Sequence, residues 1–252
     1  MLTKEDILGQ CIVCGNVIKL PSQQLDRKLY LEVAKALQLI GGKCKGGKIA
    51  GFVFENEKEN EKDLSELLAQ IAGGTCRDFK KEYQFFETLD ALADRLVEMA
   101  QIQPGDAVLE PSAGQGAIVK AIQKKYSGTV DCFELMDINC SFLLKMEKVN
   151  LVDKDFLSYE TMPKYDRIIA NPPFSKNQDI DHIYRMFAWL RPGGCIVTIA
   201  SKHWQISFNK KEKEFLEWLK SVNAEIIDIA PSTFKESGTM VGGCILKIKK
   251  CH

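Results

Sequence analysis

Residues 165–174 read YDRIIANPPF, and this stretch indicates both the fold class and the position of a functional site. Its apolar half, residues 165–170, is typical of a buried strand in a parallel sheet. Residues 171–174 then end the strand, because each proline fixes its own φ, lacks an amide donor and pushes the preceding residue to extended geometry. The product is a rigid corner whose carbonyl oxygens and side-chain amide suit a planar amino group. For these four residues alone, a proline-rich turn with Phe174 packed in the core is the alternative.

The sequence around this corner alternates between strand-like and helix-like periods. Such alternation predicts an α/β fold, in which a Rossmann-like, seven-stranded, mostly parallel sheet carries helices on both faces. The carboxyl ends of parallel strands meet at one edge, where ligands bind. The predicted strands cover residues 107–109, 130–133, 149–152, 168–170, 195–200, 225–230 and 243–249.

Residues 1–75 differ in pattern and predict a small N-terminal α+β region for substrate or partner recognition. A strand is expected at 11–20, a helix at 25–40, a strand at 49–54 and a helix at 64–72. Glycines 73 and 74 mark the boundary, so residues 76–252 form the main domain.

Composition excludes several classes of protein. The chain has 252 residues, 45% of them hydrophobic, and a formal net charge of zero, so contact with nucleic acid has to come from local patches. The start, MLTKEDILGQ, lacks the apolar segment of a signal peptide, and no apolar run is long enough to span a membrane. The sequence has nine cysteines, an odd number, and they are scattered along the chain. This pattern predicts reduced thiols and a cytoplasmic location, not a disulfide framework. Cys11 and Cys14 resemble half a zinc site, but we expect no metal because a structural zinc needs four ligands.

A glycine-rich loop, residues 111–116 (PSAGQG), follows the first strand of the main domain. Such a loop lets a ligand approach the backbone and the start of the following helix. A dinucleotide is disfavoured here, because the third glycine of that pattern is missing and Glu110 would repel a pyrophosphate. The same carboxylate suits a cationic ligand.

Acidic residues also follow the second and third strands. Glu134 is placed to accept hydrogen bonds from two ribose hydroxyls. Asp155 is placed to accept one from an adenine amino group, with Phe156 or Leu135 covering the ring. Helix capping or a solvated loop is the commoner fate of such acids. Their shared position at strand ends favours a single crevice.

Taken together with Phe85-Phe86-Glu87-Thr88, these motifs resemble class I S-adenosylmethionine-dependent methyltransferases over about residues 82–250. The closest resemblance is to the gamma-type adenine-N6 DNA methyltransferases and their phage and plasmid relatives. The resemblance implies S-adenosylmethionine as cofactor and a catalytic corner of Asn171, Pro172, Pro173 and Phe174. The residues that it implies for cofactor binding are Phe86, Thr88, Glu110, Pro111, Ser112, Gly114, Gly116, Glu134, Asp155, Phe156 and Asn171.

The chemistry of the corner fits this resemblance. The Asn171 side-chain oxygen and the Pro172 carbonyl could bind both hydrogens of an adenine amino group, which localises the nitrogen lone pair. Phe174 would stack on the base. Basic residues after the fifth strand give candidate substrate contacts at Lys202, His203 and Trp204, and a second basic cluster lies at residues 43–48. A solvated surface or core packing is the alternative for these residues. His182 lies near the corner in the sequence and could touch the substrate, but a place in the first turn of a helix capped by Asp179 is the favoured interpretation.

Several substrates share this chemistry. Adenine N6 in DNA is the leading prediction, and a base in ribosomal or transfer RNA or a protein glutamine amide is the alternative. A third possibility is a non-catalytic, cofactor-binding subunit of a larger complex. In the gamma-type methyltransferases a large target-recognition domain would follow the catalytic region, and this sequence has no such segment there. Sequence recognition is therefore expected from residues 1–80 or from a separate subunit, or it does not exist.

Overall fold

A computed structural model describes residues 2–45, 51–54, 61–73, 88–160, 162–207, 209–229 and 243–251. The chain divides into two units, Met1–Glu82 and Tyr83–His252. The boundary predicted between residues 75 and 76 lies outside the described residues and stays a prediction.

The first unit has an antiparallel sheet with helices, as the α+β prediction requires. Its elements are α1 (Lys4–Leu8), β1 (Ile12–Cys14), β2 (Val17–Lys19), α2 (Arg27–Leu39), β3 (Lys43–Lys45), β4 (Gly51–Val53) and α3 (Glu61–Ala72), with strand order β1-β2-β4-β3. The single strand expected at 11–20 is wrong. It is a hairpin, because Gly15 adopts a positive φ of 58° and turns the chain between β1 and β2.

The second unit alternates strands and helices. Its elements are α4 (Asp90–Ala100), β5 (Val108–Glu110), α5 (Ala117–Gln123), β6 (Val130–Phe133), α6 (Asp137–Leu143), β7 (Val149–Asp153), β8 (Tyr165–Ala170), α7 (Gln178–Trp189), β9 (Leu190–Ser201), α8 (Lys210–Ser221), β10 (Glu225–Asp228) and β11 (Gly243–Lys249).

The strands of the second unit form one seven-stranded sheet in the order β10-β11-β9-β8-β5-β6-β7. The pairs from β9 to β7 are parallel, and β11 runs antiparallel to both of its neighbours. This confirms the predicted mostly parallel α/β sheet. The chain order reverses between β5 and β8, so the crevice expected in such sheets lies at the carboxyl ends of these two strands.

Neighbouring residues of each strand face opposite sides of the sheet, and each side is covered by helices. On one side Val108 and Ile169 pack into a core with α4 and α5, whereas on the other side Leu109 and Ile168 pack with α7 and α8. Successive residues of these strands are apolar, as is required of a strand that is buried on both faces. The sheet is therefore the middle layer of three.

The last parallel strand, β9, is longer than predicted. It begins at Leu190, immediately after α7, because Leu190 pairs with Tyr165 of β8 before the register shifts at the Pro192-Gly193 segment. Gly193 adopts a φ of 79° there. Among the described residues, no helix has the length and apolar character needed to cross a membrane.

Candidate active site

The glycine-rich loop after β5 is tied to the end of β6. Gly114 adopts a φ of 54°, and its amide donates to Glu134 Oε2 at 2.7 Å. Gly116, at φ 82°, immediately precedes the first residue of α5. A Cβ at Gly116 would lie 2.6 Å from Met146 Sδ, so a side chain there would be strained in its backbone conformation and would displace Met146.

Glu110, the last residue of β5, is a buried carboxylate with an unsatisfied oxygen. The residue is 1% exposed, and its Oε2 has no hydrogen-bond partner among the residues that the structure describes. Burial, followed by the negative charge of Glu134, raises the pKa of Glu110 well above its usual value. An unpaired buried acid is costly, so this position is suited to a cationic ligand.

Glu134, just after β6, is buried but hydrogen-bonded through both oxygens. Oε2 accepts from the Gly114 amide, and Oε1 accepts from the Met136 amide at 2.8 Å and from Asn139 Nδ2 at 3.3 Å. Burial raises the pKa of Glu134, while the two amide hydrogen bonds act in the opposite direction. Each carboxylate oxygen has two lone pairs, so Glu134 can hold the loop and still accept from a ligand.

The segment after β7 brings an acid and an aromatic ring to the same edge. Asp155 Oδ1 accepts from the Leu157 amide at 2.9 Å. The Phe156 ring is buried and meets the edge of Phe133 at a centroid distance of 5.3 Å. These contacts fix the direction of both side chains.

The Asn-Pro-Pro-Phe corner follows β8, across the switch point from Glu110. Asn171 Nδ2 donates to Thr88 Oγ1 at 3.1 Å, and Thr88 is itself buried. Pro172 is buried, and Phe174 packs half-buried against the core that α4 and α5 cover. Immediately beyond the corner, Lys176 and Asn177 adopt left-handed conformations with φ of 54° and 62°.

A cavity of about 250 Å³ collects most of the predicted residues. It is lined by Thr88, Glu110, Pro111, Ser112, Ala113, Gly114, Gln115, Ala117, Ile118, Phe133, Glu134, Leu135, Met136, Lys154, Asp155, Phe156, Leu157, Asn171, Pro173, Gln178 and His182. Six predicted residues that the structure describes are not in its wall. They are Gly116, which faces Met146, the buried Pro172, the half-buried Phe174, and the predicted substrate contacts Lys202, His203 and Trp204. Phe86 lies outside the described residues.

The substrate contacts predicted after β9 need correction at Trp204. Trp204 is 1% exposed and packs edge-on against Phe215, so it is a core residue and is not available to stack on a base. Lys202 is engaged with Asp228 at 2.7 Å on the side of β10. This ion pair lies at the surface and leaves the predicted substrate contact of Lys202 untested.

His203 belongs to a polar network that supports the segment after the corner. Its Nδ1 lies 2.6 Å from Ser201 Oγ, and its Nε2 contacts Asn177 Oδ1. Ser201 Oγ in turn donates to Asp179 Oδ2 at 2.6 Å. Asp179 is fully buried and does not cap α7, so its predicted role as a helix cap is wrong.

Two polar residues of α7 in the cavity wall were not included in the site predicted from the sequence. Gln178 and His182 lie four residues apart, so they share one face of the helix, and that face borders the cavity. The spacing was visible in the sequence. The direction in which this face points depends on how α7 packs on the sheet.

The cavity is acidic at one end of its wall and aromatic at another. Glu110 offers a carboxylate oxygen with no partner among the described residues, Glu134 can accept from the hydroxyls of a ligand, and Asp155 and Phe156 both line the cavity. These groups fit an elongated ligand with a cationic end, a sugar and a base.

Several known proteins similar to this chain bear the names of methyltransferases. No protein-family model matches the chain. A tRNA1(Val) (adenine(37)-N6)-methyltransferase of Aliivibrio fischeri (strain MJ11) is 36% identical over 78 residues, covering 28% of this chain and 33% of that protein. The modification methylase CviBIII of Paramecium bursaria Chlorella virus NC1A is 26% identical over 122 residues, covering 46% of this chain and 32% of that protein. The chain thus spans about a third of the length of these curated relatives.

A solved structure from Listeria monocytogenes, assigned to the class I S-adenosylmethionine-dependent methyltransferases, superposes with a TM-score of 0.54. It is 14% identical, and the match covers 76% of this chain and 67% of that one. The second unit thus has the class I S-adenosylmethionine-dependent methyltransferase fold, which confirms the fold expected from the sequence.

Proposed function

We propose that this protein transfers a methyl group from S-adenosylmethionine to the N6 amino group of adenine in a nucleic acid. The observation that carries the proposal is the position of Asn171. It follows β8 directly and lines the same cavity as Glu110 and Glu134, which lie at the ends of β5 and β6 on the other side of the switch point. A group that suits a planar amine therefore borders a pocket that suits the cofactor.

The cofactor pocket is assigned from the wall of the cavity. Glu110 would pair with the ammonium of the methionine part, because its Oε2 has no hydrogen-bond partner within the described part of the chain. Glu134 would accept from the ribose hydroxyls, and Asp155 with Phe156 would hold the adenine. When bound, S-adenosylmethionine supplies an activated methyl group on its sulfonium sulfur.

The corner is assigned to the target amine. The Asn171 Nδ2–Thr88 hydrogen bond turns the carbonyl oxygen of the Asn171 side chain away from Thr88. This oxygen and the Pro172 carbonyl would accept the two hydrogens of the target amino group. The nitrogen lone pair is then localised and aimed, so the corner acts by positioning and electrostatics. Phe174 lies outside the cavity wall and is only half-buried against the core. We assign its remaining exposed part to stacking on the base, a contact worth about 1–3 kcal/mol.

DNA is the substrate predicted from the sequence, and a base in a duplex would have to be flipped out to reach the corner. RNA is the second candidate, because one relative bears the name of a tRNA adenine-N6 methyltransferase. A separate recognition subunit and a role of residues 1–75 in recognition stay predictions.

The test is a transfer assay with methyl-labelled S-adenosylmethionine, run separately on DNA, total RNA and a protein extract. We expect label in N6-methyladenine after digestion of the DNA or, for the second candidate, of the RNA. Label in protein alone would contradict the nucleic-acid substrate. Cofactor binding without any transfer would favour a non-catalytic subunit.

Asn171→Ala tests the role of the corner. We expect it to lower the transfer rate at least about 100-fold, as does loss of one well-placed catalytic hydrogen bond. Its affinity for S-adenosylhomocysteine, measured by calorimetry, should be unchanged. Asn150→Ala is the matched control, since Asn150 is exposed on β7 and donates to Asp131. A collapse of cofactor affinity in Asn171→Ala would show that Asn171 serves the cofactor and not the target.

A further inference from the structure

His182 is a buried polar residue in the cavity wall with an unsatisfied ring nitrogen. It lies in the second turn of α7 and is 7% exposed. Its Nδ1 has no hydrogen-bond partner in any part of the chain that the structure describes. A polar group left in this state costs about 1–3 kcal/mol, so such a residue calls for an explanation.

The His182 ring is neutral at neutral pH. Burial lowers the pKa of His182 to about 4, against the opposing effect of Asp155 and Asp181, and with a smaller contribution from Arg185 in the same direction as burial. A neutral imidazole offers one donor and one acceptor nitrogen. That pair of functions suits the edge of a heterocyclic base, which also carries donors and acceptors.

The position of His182 identifies which end of the ligand it would meet. Its ring centroid is 5.7 Å from that of Phe156, with the two rings inclined by 37°. Asp155, the residue before Phe156, is the acid that acts most strongly on it. His182 thus lies at the Asp155–Phe156 end of the cavity.

We propose that His182 recognises the purine of the cofactor. Its imidazole would form a hydrogen bond with the base that lies beside Phe156. Asp155 alone would leave part of the edge of a purine without a partner, and His182 of α7 supplies a second contact. The inference rests on the proposed cofactor and adds a residue that determines its base specificity.

The test uses two ligands with the full-length protein. S-adenosylhomocysteine carries the purine, and S-ribosylhomocysteine has the same amino acid and sugar without it. We expect S-adenosylhomocysteine to shift a ring-nitrogen NMR resonance of His182, and S-ribosylhomocysteine to leave it unchanged. Assignment is simple because the chain has three histidines. An unchanged His182 resonance in the S-adenosylhomocysteine complex, or equal shifts with both ligands, would overturn the inference.

A variant gives an independent readout. His182→Phe keeps an aromatic ring of similar size and removes both nitrogens, so S-adenosylhomocysteine should bind about tenfold more weakly. The affinity for S-ribosylhomocysteine should not change. Tyr184→Phe on the same helix is the matched control, because Tyr184 packs against Phe215 and Trp218, outside the cavity. Equal losses of affinity for both ligands would refute recognition of the base by His182. A wild-type protein that binds neither ligand would instead refute the proposed function.

Discussion

At the scale of single residues, Glu110 shows how a binding site lowers the stability of the folded protein when no ligand is bound. Its carboxyl group is buried, lies near a second acid and has an oxygen with no partner among the described residues. A folded protein that raises the pKa of a carboxyl group binds its proton more tightly than the unfolded chain does. The contribution of Glu110 to stability is therefore present at low pH and is lost as pH rises from its usual value of 4.5 through the raised value.

The raised pKa of Glu110 implies that Glu110→Gln has opposite effects on stability and on cofactor binding. Near neutral pH the variant should be more stable than the wild type in thermal unfolding without ligand, because glutamine needs neither to bury a charge nor to take up a proton on folding. It should bind S-adenosylhomocysteine about 10- to 100-fold more weakly, because the ammonium loses a charged partner.

The wild-type protein should also release protons on binding, since a cation lowers the pKa of Glu110, and its affinity should fall as pH is lowered. Calorimetry in buffers of different ionisation enthalpy measures this release, which Glu110→Gln should reduce. Glu98→Gln, at an exposed position of α4, is the control. Lower stability and unchanged affinity in Glu110→Gln would contradict this account.

At the scale of elements, the β5–α5 connection depends on a glycine for two separable reasons. Gly116 and Gly105 both have positive φ, 82° and 89°. A Cβ at Gly105 would meet nothing within 4 Å, whereas a Cβ at Gly116 would lie 2.6 Å from Met146 Sδ and 3.3 Å from Leu143 Cδ2. The two positions share the backbone requirement and differ in packing.

Alanine at each position should separate these two costs. Gly105→Ala should destabilise the second unit by about 1–2 kcal/mol through its backbone conformation. Gly116→Ala should cost a further 1–3 kcal/mol or so, because Met146 has to move. Urea denaturation followed by tryptophan fluorescence measures this unit alone, since all three tryptophans lie in it. Equal losses in the two variants would show that Met146 adapts without cost.

At the scale of the whole molecule, the second unit contains the cavity and the hydrophobic cores that hold it. Its two hydrophobic cores, one on each face of the sheet, are built from residues between 89 and 248. All residues of the cavity wall lie between 88 and 182. A domain with its own core can fold alone.

The fragment of residues 83–252 should therefore fold cooperatively and bind S-adenosylhomocysteine with the affinity of the full chain. Thermal unfolding and calorimetry test this, and the same fragment with Glu110→Gln is the control. If recognition resides in residues 1–75, the fragment should keep cofactor binding and lose methyl transfer to the nucleic acid. Loss of cofactor binding in the fragment would show that the first unit supports the pocket.

The amino-acid sequence by itself determined the layers of the second unit and the edge at which its site lies. Alternating periods, the apolar run of residues 165–170 and the rigid corner after it are local features, and local features predict strands, helices and strand ends. Because parallel strands end at one edge, the positions of Glu110, Glu134, Asp155 and Asn171 along the chain were enough to place them together.

Tertiary structure alone decided which side chains reach the cavity and in what state. Trp204 and His182 both follow a parallel strand in the sequence, yet Trp204 is buried against Phe215 and His182 borders the pocket. The orientation of α7 and α8 on the sheet makes this difference. That orientation depends on the packing of many distant residues, as does the burial that raises the pKa of Glu110. Neither is encoded in the spacing of neighbouring residues.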